Sequence, residues 1–217
     1  QKGIGEPQLY LRNLNSFETR IVSGSAGARQ LFFSPDGKWI AFFAHGQLQK
    51  SEVAGGSPIK VADAAQPYGG TWNEDDTIVF TTGLGSGLLR IPATGGQPES
   101  LTKPDGAGQG YAHVWPQSLH GGKSILFTIW GQSLGVAVLS IDSRRWQLVQ
   151  PGVSGSILCL TAGTTGHLLS LDRNSGVKAG PFDAARPAVT NPDTSVLADV
   201  YWYQLNQRNW LAASKTG

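Results

Sequence analysis

Short apolar runs separated by tight-turn residues recur along the whole chain, and no stretch carries a convincing helical period. The runs Trp39–Ala44, Thr77–Thr81, Ser124–Ile129 and His167–Leu171 are of strand length. Each follows a tight-turn pair: Asp36-Gly37, Asp75-Asp76, Gly121-Gly122 and Thr165-Gly166. Counted from the second residue of each pair, the spacings are 39, 46 and 44 residues. Further turns fall at Gly55-Gly56, Gly95-Gly96 and Ser143-Arg144, followed by the runs Ile59–Ala62, Glu99–Thr102 and Trp146–Val149. Each unit therefore reads strand, turn, strand, loop, strand, turn, strand. That is the spacing of one four-stranded blade of a β-propeller.

The pattern predicts an all-β chain of four-stranded antiparallel blades at residues 29–66, 67–108, 109–152 and 153–200. A single meander cannot bury both faces, and radial stacking buries each face against the next blade. Phe32, Phe33, Trp39, Phe42, Phe43, Trp72, Phe80, Trp115, Phe127 and Trp130 are the expected stacking aromatics. Gln8–Leu14 and Thr19–Val22 read as the two outer strands of another blade within residues 1–28. Tyr201–Ser214, within residues 201–217, reads as its inner strands. The two ends then form a composite fifth blade, which removes exposed strand edges. The alternative is an incomplete six-bladed propeller closed by dimerisation. Wedges shaped for six blades close poorly as five, so a homodimer is expected, with strand exchange through 8–22 or 201–214 as its route.

Composition narrows the classes. Gly (29) and Pro (12) are abundant among the 217 residues, as many turns require, while a hydrophobic share of 40% argues for a packed core. The formal net charge is +2 and no Lys/Arg run stands out, so no nucleic-acid footprint is expected. No apolar run reaches the length of a membrane-spanning helix, and no signal peptide is visible. Cys159 is the single cysteine, so no intrachain disulfide forms, and it reads as a small buried hydrophobe. The chain begins at Gln1 and contains no Met, which points to a processed or excised piece.

The unit Phe33-Ser34-Pro35-Asp36-Gly37-Lys38-Trp39-Ile40-Ala41-Phe42-Phe43 resembles the TolB-like, WD-type propeller repeat of bacteria. More specifically, the chain is similar to the propeller ectodomain of bacterial serine/threonine kinases. The matching pieces include Gln8–Arg12, Gly70-Thr71-Trp72, Arg90-Ile91-Pro92, His113–Gln117 and Pro181–Arg186. The resemblance implies a sensor or scaffold role on the extracytoplasmic, periplasmic side, beside a catalytic partner. Two turns depart from the repeat, at Asn73–Asp76 and Leu119–Gly122, and the kinase signatures are missing. The resemblance therefore implies no kinase activity for these residues.

Formal motifs add little. Gly131-Gln132-Ser133-Leu134-Gly135 matches the nucleophile pattern, but it joins two predicted strands instead of a strand and a helix. Gly83–Gly87 likewise lacks the following helix that a phosphate cradle needs. Loops between blades and loops joining second to third strands share one face. His113 falls there at the start of an innermost strand, and His45 falls in a second-to-third-strand loop. Asp63, Tyr68, Asp105 and Tyr111 fall near the same channel mouth, with His120 and His167 on the opposite face. The leading reading is a binding module that takes a small molecule or protein at this face. The alternative is a hydrolase for phosphotriesters, lactones or aryl esters. Its divalent metal (Ca or Zn) would sit among His113, Asp105 and Asp63, with His113 as the catalytic base and Asp63, Tyr68, Asp105, Tyr111 and His45 around the ligand.

Overall fold

A computed structural model describes residues 5–104, 112–119, 121–153, 155–162, 165–171, 176–187 and 194–197, and these contain strands and no helix. A two-stranded hairpin, β1 (Tyr10–Arg12) with β2 (Thr19–Ile21), comes first. Four antiparallel meanders follow. The first sheet is β3 (Arg29–Phe33), β4 (Trp39–Ala44), β5 (Gln47–Glu52) and β6 (Ile59–Asp63). The second is β7 (Gly70–Trp72), β8 (Thr77–Phe80), β9 (Leu89–Pro92) and β10 (Glu99–Ser100). The third is β11 (Ala112–Ser118), β12 (Ser124–Trp130), β13 (Gly135–Ser140) and β14 (Trp146–Pro151). The fourth is β15 (Gly155–Ala162), β16 (Thr165–Leu171), β17 (Val177–Asp183) and β18 (Thr194–Leu197).

The core lies between sheets. Side chains alternate across a strand, so a strand buried on both faces reads as an unbroken apolar run. In β4, Ile40, Phe42 and Ala44 pack toward the terminal hairpin, against Leu9 and Val22. The intervening Ala41 and Phe43 pack the other way, against Trp72, Ile78, Phe80 and Ile91 of the second sheet. Val79 of β8 then meets Ile125, Phe127, Ala137 and Leu139 of the third sheet. Leu126, Val136 and Val138 meet Leu168 and Phe182 of the fourth. Phe33 departs from its expected role, because it is 47% exposed, as is Leu31. Alternation turns Phe32 into the cluster shared with the second sheet and Phe33 away from it. The residues flanking the hairpin cover Ile40, Phe42 and Ala44 of that far face, while Leu31 and Phe33 of β3 stay half exposed. The inner strands expected from Tyr201–Ser214 lie outside the described residues.

The first strands β3, β7 and β11 adjoin in order. Backbone groups tie them. The Gly69 N–H donates to Gln30 Oε1 (2.7 Å), and the Trp115 N–H donates to the Tyr68 carbonyl (2.7 Å). Gln30, Gly69 and Trp115 occupy equivalent places, four residues before Ser34, Asn73 and Leu119, whose N–H groups close the following turns. All three have left-handed backbone, with φ of 51°, 99° and 51°. Register shifts of one residue mark β3 and β11 there, so these are β-bulges. Only glycine serves in the middle one, where a Cβ would sit 3.0 Å from Trp115 Cα.

The Ser34-Pro35-Asp36-Gly37 turn is held by its side chains. Ser34 Oγ donates to Asp36 Oδ1 (2.6 Å), Asp36 Oδ1 accepts from the Lys38 N–H (3.0 Å), and Ser34 Oγ accepts from the Trp39 N–H (2.9 Å). The second sheet replaces Gly37 with Asp76, at φ 59°, and the Trp72 indole donates to Asp76 Oδ1 (2.8 Å). That contact helps an aspartate to hold a place suited to glycine. The Ser-Pro-Asp-Gly hydrogen bonds hold the Asp36 carboxyl below its ordinary value of 3.8. Burial pushes Asp75 up, but hydrogen bonds from Thr77 and the Arg90 guanidinium together bring it below 3.8. Arg90 also meets Glu99 (3.5 Å), which Arg144 of the third sheet reaches at 2.8 Å.

Both carboxyls favour the charged form in the folded chain. Their contribution is complete above the ordinary value of 3.8 and is lost as pH falls through the lower folded values. Asp75→Asn is expected to lower the thermal midpoint near about pH 7 and to flatten its decline below about pH 4. Thermal unfolding across that range checks this. An acid decline as steep as in the unsubstituted protein would remove Asp75 from the account.

Candidate functional site

A cavity of about 300 Å³ opens where the N-terminal segment, the first sheet and the loop into the second sheet meet. Its lining comprises Glu6 and Pro7, Gly27 and Arg29, Phe43–Gly46, and Ala64, Ala65 and Pro67. Each part is placed by local structure. The Gly27 N–H donates to the Pro7 carbonyl (2.8 Å), fixing the N-terminal segment along the cavity. Arg29 stands opposite Phe43 in the β3–β4 pairing. The Ala64 N–H donates to the Gly46 carbonyl (2.7 Å), bringing the loop after β6 against the β4–β5 hairpin.

His45 and Gly46 form the two-residue turn of that hairpin, flanked by the Ala44–Gln47 pair. Both have positive φ, 50° and 75°, as a type I′ turn demands. Asparagine would fill the first position with less strain, so the imidazole is held there at a conformational cost. A Cβ on Gly27, itself at φ 74°, would lie 3.1 Å from His45 Cε1. Gly27 therefore leaves the space that the ring occupies.

The lining is bipolar. Arg29, Glu6 and His45 line a cavity whose other walls are Pro7, Gly27, Phe43, Ala44, Gly46, Ala64, Ala65 and Pro67. Among the described residues none forms an ion pair or side-chain hydrogen bond with Glu6, Arg29 or His45. All three side chains are exposed, so they are solvated at the cavity's rim and open to a ligand that enters it.

Of the site residues expected from the sequence, His45 lies in this cavity, beside Gly27 from the loop before β3, Arg29 at the start of β3, and Ala64, Ala65 and Pro67 from the loop after β6. Asp63 is at the adjacent end of β6, highly exposed and paired with Lys60 (2.7 Å). Tyr68 follows Pro67, and its backbone N–H donates to Thr81 Oγ1 (2.8 Å). Asp105, Tyr111 and His120 lie outside the described residues. His167 is exposed on β16. No three described His, Cys, Asp or Glu residues converge on a metal-sized site. Glu6 and Arg29 escaped the sequence reading because an isolated charge before a strand looks like any solvated side chain. Only the fold brings them together.

His113 requires a correction. It does lie at the start of an innermost strand, but its side chain is 1% exposed and is packed between sheets instead of facing an open mouth. Its Nδ1 is 2.7 Å from Thr102 Oγ1, which also accepts the Leu88 N–H (2.9 Å). The rings of Phe127 and Trp146 flank it at 4.7 and 5.5 Å. The imidazole thus ties the outer end of the second sheet to the third. The same junction explains Gly87, where a Cβ would run into the Thr102 carbonyl. Gly83–Gly87 is accordingly a glycine loop closed on itself, with Ser86 Oγ donating to the Gly83 carbonyl (2.6 Å). Gly131–Gly135 joins β12 to β13, and no helix follows Ser133.

No protein-family model matches this chain, and no curated protein matches it in sequence. Solved structures do match in shape. A chain of a nidogen–laminin complex superposes with a TM-score of 0.62 at 15% identity, over 84% of this chain and 72% of that one. A calcium-binding protein, regucalcin, from Agrobacterium tumefaciens gives 0.58 at 14% identity, over 76% and 57%. Virginiamycin B lyase from Staphylococcus aureus gives 0.55 at 18%, over 84% and 61%. The chain thus spans less than two thirds of the last two. Together with the successive meanders and their adjoining first strands, these likenesses establish the fold as a β-propeller.

The burial of His113 predicts a stability effect. His113→Ala is expected to cost roughly 3 kcal/mol, through a cavity between Phe127 and Trp146 and a lost partner for Thr102. Urea unfolding measures it. A change below about 0.5 kcal/mol would show that the ring carries no packing.

Proposed function

We propose that this propeller is a ligand-binding module and that its ligand occupies the cavity lined by Glu6, Arg29 and His45. The observation that carries the reading is that three polar side chains of different chemistry share one cavity with no described partner. The turn that strains His45 into the lining supports it further. The finer reading is a TolB-like sensor or scaffold beside a catalytic partner, as the Ser34-Pro35-Asp36-Gly37 unit suggests. The nidogen–laminin likeness favours binding over chemistry as the propeller's task, by analogy of fold alone. The hydrolase reading has a calcium-binding protein among the structural likenesses in its favour, but no converging ligand set among the described residues.

A thermal-shift screen of metabolites and short peptides tests the binding reading. A ligand at about one hundred times its Kd adds roughly 2.7 kcal/mol to folding stability and raises the midpoint. His45→Asn keeps a residue suited to the turn, so the unliganded midpoint is expected to hold while the ligand shift shrinks or disappears. Hits that shift both proteins equally would place the binding elsewhere. Turnover of an activated ester that a chelator abolishes would favour the hydrolase instead.

A further inference from the structure

The cavity's own chemistry narrows the ligand, and this step rests on the reading of the cavity as the binding site. A site for a phosphate or another dianion is built from converging donors, and a carboxylate in the lining works against it. Here Glu6 shares the wall with Arg29, so the site offers one positive and one negative group that do not neutralise each other. The complement of that pattern is a ligand carrying both charges. The volume of about 300 Å³ is at the low end for small-molecule sites and suits a ligand of amino-acid size. The remaining walls are three alanines, two prolines, two glycines and Phe43. They match a short apolar substituent.

We propose that the cavity takes a free α-amino acid with an apolar side chain. Arg29 receives the carboxylate through the paired donors of its guanidinium, and Glu6 receives the ammonium. Ala64, Ala65, Pro67 and Phe43 surround the side chain. His45 supplies a further hydrogen bond from the hairpin tip. The proposal accounts for opposite charges at the rim of one small apolar cavity and for an imidazole at a turn position suited to asparagine.

Titration calorimetry on the full chain tests this. The probes are the apolar amino acids, with N-acetyl-leucine, leucinamide and inorganic phosphate as comparisons. At least one apolar amino acid is expected to bind. Removing its ammonium by acetylation, or its carboxylate by amidation, is expected to weaken binding at least about tenfold, as loss of a charged hydrogen bond does. Arg29→Ala and Glu6→Gln are each expected to weaken the parent ligand to a similar extent. Absence of binding by every apolar amino acid up to about 10 mM overturns the proposal. So does equal affinity for N-acetyl-leucine or phosphate. If one of those ligands binds and Arg29→Ala removes it, the cavity remains the site and only the amino-acid assignment falls. If an amino acid binds equally well to Arg29→Ala, Glu6→Gln and His45→Asn, the cavity itself is not the site.

Discussion

Everything in this molecule depends on sheets stacking face to face through strands that are buried on both sides. Phe42, Phe80 and Phe127 lie in middle strands of three successive sheets and are essentially inaccessible. Each such side chain contributes roughly 1.5–3 kcal/mol by leaving water. The exposed charge pairs Lys38–Asp36 and Lys60–Asp63 contribute between nothing and about 1 kcal/mol. Stacking therefore sets the arrangement, and the charges decorate it. Because no sheet can bury both faces alone, the stability of each depends on its neighbour. That dependence makes the ends of the array its vulnerable places.

Stacking also forces compromises at the axis and at the turns. Innermost strands crowd together, and the bulges at Gln30 and Trp115, with the left-handed Gly69 at the equivalent place, let the backbone turn there while the Gly69 and Trp115 N–H groups bond to the preceding blade. Trp115 also meets Trp130 edge to face at 5.8 Å, so the strained residue gains packing in return. The turns follow the same rule. A left-handed residue sits at Gly37, Asp76 and Gly122, and where it is not glycine a side-chain hydrogen bond steadies it. His45 has φ 50° and no described side-chain partner, which sets it apart from Asp76. A strained position without local compensation draws attention to function.

The sheets were legible in the sequence because period-two burial and turn chemistry are local. Trp39–Ala44 agrees residue for residue, and the recurrence of turns separates the sheets. Errors arose where a local rule met a neighbour. β10 stops at Ser100, and the chain beyond it bonds to Leu88 from Leu101 and Thr102. Phe33 looks like core by composition, but the bulge and the alternation beyond it turn the ring outward. His113 was placed on the right strand, yet which way its ring points depends on Thr102, Phe127 and Trp146, residues 11 to 33 positions away. Glu6 and Arg29 carry no motif at all. Their meaning comes from the fold, which carries the first residues of the chain along the same cavity as the loop after β6.

The location of that cavity follows from the same stacking. Its walls come from the segment before the hairpin, the first sheet, and the loop into the second sheet, so it straddles a boundary instead of lying within one sheet. Middle strands are committed to packing on both faces, and β4 reaches the cavity only with Phe43 and Ala44 at its end. Strand ends and connecting loops are free of that duty, and a rigid pair of sheets holds them in place. Leu31 and Phe33 lie half exposed on the far side of the same first strand, whose start supplies Arg29 to the cavity. β3 thus carries a cavity-lining cation at its start and two half-exposed apolar side chains beyond its bulge, because only its alternate residues are claimed by the neighbouring sheet.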